Sequence, residues 1–207
     1  MPEYKLYYFP VRGRGEFIRY IFHCAGVQFE DVHITHEPWM AMKDTTPMGQ
    51  LPVLEMDGKK LCQSLSIARY LAKEFNLAGK SKWESALCDM YVDGVMDLFT
   101  AFRPVLLQVF AKDAEKQAEC YKKFKEESLP GFMQRFEKFL SDNKTGWLVG
   151  SEATWADLVV AEILERLESC FDKTVFEGFP QLEKHCRQVH EIPGIKKYVQ
   201  QRVEMRF

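Results

Sequence analysis

The sequence predicts an α/β unit followed by an all-α unit, and three observations carry that prediction. Residues 4–75 alternate short apolar stretches with helical repeats, in the order β-α-β then β-β-α. Beyond residue 82 the apolar residues recur almost throughout at helical spacing. Between the two lies a short linker, 76–81, containing Gly79. The domains are therefore expected at 1–77 and 82–207. A chain of 207 residues, 46% hydrophobic and 28% charged, has a globular composition and enough length to bury a substantial core.

Taken in order, residues 4–9 are aromatic and apolar enough for a first strand, followed by the turn Arg12-Gly13-Arg14-Gly15. Phe17, Tyr20, Ile21, Cys24 and Ala25 then recur at helical spacing until Gly26 stops the helix. Residues 29–34 read as a second strand. Trp39, Met42 and Lys43 fall in an irregular segment closed by Pro47. A strand starts at Pro52, turns at Asp57-Gly58, returns through 59–62 and runs into a helix at Ser64. That helix carries Leu65, Ala68, Leu71, Ala72 and Phe75 on one face. The result is a small sheet with helices packed on it, close to a thioredoxin-like arrangement. In the second unit, 83–110 and 117–140 are long amphipathic runs, and Pro104 should kink or divide the first. Thr154 and Asp157 are spaced as a capping box ahead of the apolar run 158–167.

Composition excludes several functions. A formal charge of −2 gives no basic field for nucleic acid or an anionic membrane. The N-terminus lacks a signal-peptide pattern, and no continuous apolar stretch reaches the ~18 residues of a spanning helix. Six scattered cysteines without a CxxC pair or zinc spacing read as reduced thiols, so a cytoplasmic location is expected. They also argue against a thioredoxin-type oxidoreductase. His33 and His36 have no obvious third metal ligand, and His185 and His190 sit in a polar stretch read as solvated. The basic run 122–125 is offset by Glu126 and Glu127.

Residues 48–68 carry the most chemistry. The start of the helix at Ser64 offers backbone N–H groups and the positive end of a dipole, a seat for a carboxylate. Leu51-Pro52, where a strand meets a polar loop, suits a cis peptide bond. Together they describe a site that grips a short acidic peptide by its backbone and one carboxylate.

Five motifs in register over both domains then resemble the cytosolic glutathione transferases: Tyr8 after the first strand, Trp39 with Lys43, Gln50-Leu51-Pro52, Gln63-Ser64 and Thr154-Trp155-Ala156-Asp157. The segments from Tyr4 to Glu16 and from Gln63 to Leu71 resemble the sigma class in particular. The resemblance implies an enzyme that binds glutathione as co-substrate, with no other cofactor. It would ionise the thiol and add it to small hydrophobic electrophiles. A free thiol has a pKa of ~8.5, so only about 3% is thiolate at pH 7, and a drop of ~2 units, worth ~2.7 kcal/mol, makes thiolate the majority. The family's catalytic tyrosine falls on Tyr8. Strand alternation by itself leaves Tyr7 an equal claim on the inward face.

The resemblance further assigns Gln63 and Ser64 to the γ-glutamyl end, although Ser64 also suits a plain N-cap. Leu51, set by Pro52, would pair its backbone with the glutathione cysteine. Trp39 and Lys43, at i and i+4, would meet the glycyl carboxylate; spacing alone favours a core cover and a solvated charge. Gly49 and Gln50 complete this side, with Gln50 where sigma relatives often carry lysine, and Arg14 would lie near the sulfur. Asp97 would cross a homodimer interface to the γ-glutamyl amine of the other subunit. The electrophile would meet Phe9, Gly13, Arg14, Phe99, Arg103, Leu107 and Phe207. Met96 between Asp93 and Asp97 departs from the acidic metal site of prostaglandin D synthases in this class, and Pro104 replaces their tryptophan, so no metal is expected. The alternatives are a glutathione-dependent prostaglandin isomerase and a carrier of large apolar anions such as haem.

Overall fold

The computed structural model describes residues 2–203. The chain divides into two compact units, Met1–Ala78 with the stretch from Gln188 onward, and Gly79–Arg187.

In the first unit, β1 (Tyr4–Tyr8) leads through α1 (Glu16–Ala25) to β2 (Glu30–His33). The chain continues as α2 (His36–Met42), a 3₁₀ turn at Lys43–Thr45, β3 (Val53–Met56), β4 (Lys59–Cys62) and α3 (Ser64–Glu74). The sheet order is β2-β1-β3-β4. β2 runs parallel to β1, as a helical crossover requires, whereas β3 and β4 form an antiparallel hairpin turned at Asp57-Gly58. Burial alternates along β1, with Tyr4, Leu6 and Tyr8 inward and Lys5 and Tyr7 half-buried. Leu6, Ile18, Ile21, Phe22, Ile67 and Leu71 form the core beneath the sheet. This is the thioredoxin-like arrangement. Residues 39–43, expected to be irregular, instead form the second half of α2 and the start of the 3₁₀ turn. The helix exposes almost every side chain, so it has no apolar stripe from which to be read.

The second unit is all helical: α4 (Lys82–Ala111), α5 (Ala114–Glu127), α6 (Leu129–Asn143) and α7 (Trp155–Cys170), followed by α8 (Pro180–His190), which reaches the unit boundary. Pro104 does not divide α4. It and Thr100, whose carbonyl loses its helical partner, both lie on the exposed face, where water can satisfy the freed oxygen. The run 117–140 breaks instead at Ser128, and Pro130 falls in the first turn of α6. α4 is also long and apolar enough to cross a membrane by length and composition alone, contrary to the sequence expectation. Here it is a bundle helix, burying Cys88, Val92, Val95, Leu98, Phe102 and Val105.

The chain from Gln188 joins the first unit, where α9 (Pro193–Gln201) packs on α1. Gly194 makes that approach possible, since a Cβ there would come within 1.9 Å of the His23 carbonyl oxygen. Two histidines expected to be solvated are bonded within the fold. His185 is 1% exposed and bonds Asp157 at 2.9 Å, and His190 lies 3.1 Å from the Tyr20 hydroxyl.

Candidate active site

Tyr8 ends β1, where its carbonyl accepts the Ile34 N–H at 2.8 Å. Inward alternation buries its ring and leaves Tyr7 half-buried on the opposite face. The loop after β1 folds back over that ring. The Arg14 backbone N–H donates to the Tyr8 hydroxyl at 2.9 Å, and a Cβ on Gly13 or Gly15 would come within 2.6 Å of the hydroxyl or 2.5 Å of the ring. Only glycines permit so close a cradle. Arg14 therefore contributes its backbone here, while its side chain is exposed.

Phe9 packs edge-on against Trp39, with ring centroids 5.8 Å apart, and lies 5.8 Å from the Tyr8 ring. Trp39 is half-buried on α2, and the Lys43 N–H closes that helix on the Trp39 carbonyl. The exposed Lys43 side chain runs over Gly49, its Cε 3.7 Å from where a Cβ would stand. Trp39, Lys43 and the segment Gly49-Gln50-Leu51 are thus gathered by a short irregular loop. The Leu51-Pro52 bond is cis, and Pro52 is buried at the entry to β3.

Gln63 has φ +71° and ψ 111°, a left-handed backbone that a side chain adopts only under constraint. It stands immediately before α3, and its side-chain amide donates to the Met48 sulfur at 3.3 Å. Ser64 follows at 3% exposure, and its hydroxyl oxygen is buried without a hydrogen-bond partner among the described residues. A buried, unsatisfied hydroxyl at a helix start is costly and suits an anionic ligand group.

Under the tyrosine lies a buried ionic cluster that sequence reasoning missed. Arg19, with a fully buried side chain, donates from Nε to Asp31 at 2.8 Å and from Nη1 to Glu16 at 3.0 Å and to the Val11 carbonyl at 3.1 Å. Its guanidinium carbon is 5.9 Å from the centre of the Tyr8 ring. Glu16, also fully buried, accepts from Arg202 at 2.8 Å and from the Tyr198 hydroxyl at 3.1 Å. Burial pushes the Glu16 carboxyl up, but Arg19, Arg202 and Arg12 outweigh it and hold it below the usual carboxylate range. Burial also raises the Tyr198 phenol, and Glu16 adds to that rise. The only sequence sign of this cluster is the i, i+3 spacing of Glu16 and Arg19.

The remaining predicted residues lie on α4. Asp97 is exposed and lines a cavity between α4 and α6. Phe99 faces a different recess, under the Arg166 guanidinium at 5.5 Å. Arg103 and Leu107 are exposed. Phe207 lies outside the described residues.

The Tyr8 hydroxyl held by a backbone N–H, the loop before Pro52 and the helix start at Ser64 are all carried by the thioredoxin-like unit. Comparison with known proteins identifies the family of both units. Residues 3–73 match the family described as glutathione S-transferase, N-terminal domain, and residues 97–202 match glutathione S-transferase, C-terminal domain. Glutathione S-transferase 1 of Ascaris suum is 43% identical and covers 98% of both chains. The structure of a Nu-class transferase from Haemonchus contortus is 41% identical, with a TM-score of 0.92 over 100% of both chains. That of Na-GST-3 from Necator americanus, described as monomeric, is 39% identical, with a TM-score of 0.92 over 99% of this chain and 100% of its own. The chain belongs to the glutathione S-transferase family.

Proposed function

We propose that the chain binds glutathione along the edge of its thioredoxin-like unit, ionises the thiol with Tyr8 and conjugates the thiolate to small hydrophobic electrophiles. The observation that carries this reading is the Tyr8 hydroxyl, seated under the glycine loop and accepting the Arg14 N–H. Accepting that bond fixes the oxygen and polarises its O–H for donation to a sulfur anion in a water-poor site. Gln63 and Ser64 hold the γ-glutamyl carboxylate, Leu51 and Pro52 present backbone to the cysteine, and Trp39, Lys43, Gly49 and Gln50 meet the glycyl end. Phe9 and Gly13 offer the electrophile an apolar face beside the sulfur. The protein works in the cytoplasm, a location supported by six free cysteines.

The test is a pH titration of thiolate absorbance in the glutathione complex. A thiol pKa near ~6–7 in the wild type should return toward ~8.5 in Tyr8→Phe, with conjugation falling about 10- to 1000-fold and glutathione affinity held within a few-fold. A depressed pKa that survives the substitution removes Tyr8 from its role.

The second unit supports a homodimer. Its cavity of about 390 Å³ between α4 and α6 is lined by Tyr91, Phe132, Phe136 and Phe139, beside an exposed Met90. A second copy would cover Met90 and the mouth of this cavity and bring Asp97 to the γ-glutamyl amine of the other subunit. Sedimentation velocity at micromolar concentration should give twice the chain mass, and less in Met90→Asp. A single-chain mass for the wild type sinks the dimer.

A further inference from the structure

We propose that Arg19 is a positioning residue for Tyr8, tying the loop of residues 11–15, α1 and β2 together beneath the tyrosine ring. The inference rests on the reading of Tyr8 given above. Two of the guanidinium nitrogens, Nε and Nη1, hold three anchors between them. Nε goes to Asp31 on β2, while Nη1 goes to Glu16 on α1 and to the Val11 carbonyl in the loop. That loop carries Gly13, Arg14 and Gly15, the residues that seat the Tyr8 ring and donate to its hydroxyl. The guanidinium carbon, 5.9 Å from the ring centre, completes the enclosure from within the fold.

The charges around it favour an anion at the tyrosine. Glu16 and Asp31 are the carboxylates in contact with Arg19, and Arg12 and Arg202 also act on Glu16, so three guanidinium groups face two carboxylates. Tyr198 on α9 and Arg202 just after it join this cluster, and β2 contributes His33, whose ring nitrogen lies 3.0 Å from Asp31. No other side chain can replace the span. Lysine keeps the charge but has no planar fork with which to reach Asp31, Glu16 and the Val11 carbonyl at once.

The experiment compares wild type, Tyr8→Phe, Arg19→Lys and the double variant by thiolate titration, conjugation kinetics and thermal melting. Arg19→Lys should raise the bound thiol's pKa and lower kcat by about 10- to 100-fold, the scale of a small misplacement, with glutathione affinity within a few-fold. In the double variant the loss should not exceed that of Tyr8→Phe, because Arg19 acts through Tyr8. An Arg19→Lys protein that melts lower but keeps the wild-type titration and kcat overturns the proposal, as does full additivity in the double variant. Should Arg19→Lys fail to fold, Asp31→Asn loosens the same anchor from a partly exposed position and must shift the titration in the same direction; an unshifted titration is equally fatal. If Tyr8→Phe itself leaves the thiol pKa unchanged, the Tyr8 reading has failed. If Tyr8→Phe shifts it and neither partner variant does, only the Arg19 proposal has failed.

Discussion

Ser64 shows how one atom can carry opposite signs in folding and in binding. Its hydroxyl is buried at the start of α3 and has no hydrogen-bond partner among the described residues, and such a group costs about 1–3 kcal/mol. Ser64→Ala should therefore leave the ligand-free protein as stable as the wild type or slightly more so. The same change should raise KM for glutathione about 10-fold, since a bond to a carboxylate is lost, with kcat within two-fold because the sulfur is not involved. Calorimetry and initial-rate kinetics check both halves, and an unchanged KM would remove Ser64 from the binding set. At this scale the sequence was legible wherever a residue type and a turn coincide. Ser64 after the hairpin and the glycine pair beside Tyr8 are of that kind. Which of Tyr7 and Tyr8 faces inward is told only by the burial alternation of β1, and the left-handed Gln63 leaves no sign in composition. Arg14 illustrates a further limit, because its contribution near Tyr8 comes from a backbone N–H that any residue but proline would supply.

Elements follow the same rule of local against distant causes. The hairpin and α3 start where the Asp57-Gly58 turn and Ser64 put them, because both signals are local. The capping box of α7 is also local, with Asp157 accepting the Thr154 N–H at 2.7 Å. What surrounds it is not. Asp157 also accepts the Leu148 N–H at 2.8 Å and lies 2.9 Å from His185 Nε2, so one carboxylate joins the loop before α7, the helix start and α8. A histidine in a polar run reads as solvated because the buried carboxylate it meets lies 28 residues away. α7 buries nearly every residue from Trp155 to Leu167, Glu162 and Arg166 among them, and the acidic residue of its first turn is bonded by four donors. α2 fails the other way, since an exposed seven-residue helix lacks the apolar stripe that makes a helix readable.

For the whole molecule, the organising fact is that α9 returns to the first unit and closes on the start of α1. Arg202 and Glu16 stand 186 residues apart in sequence, so no local pattern announces the contact. The contact makes stability of the first unit depend on one buried carboxylate in a predictable direction. Burial alone would raise the Glu16 carboxyl, yet Arg19, Arg202 and Arg12 hold it below its ordinary value. A depressed folded pKa contributes stability that is fully present above the unfolded value of ~4.3 and is lost as pH falls through the folded one. Melting temperature should therefore be insensitive to this group from pH 7 down to about 5 and should decline below about 4.3. Glu16→Gln strips two arginines and the Tyr198 hydroxyl of their shared acceptor and should cost about 3 kcal/mol near neutrality. It should also flatten the acid decline, because the titrating group is gone. Parallel melts of the two proteins from pH 7 to 3 decide the matter: equal acid slopes would mean that other carboxylates, not the junction of the chain's two ends, govern its acid stability.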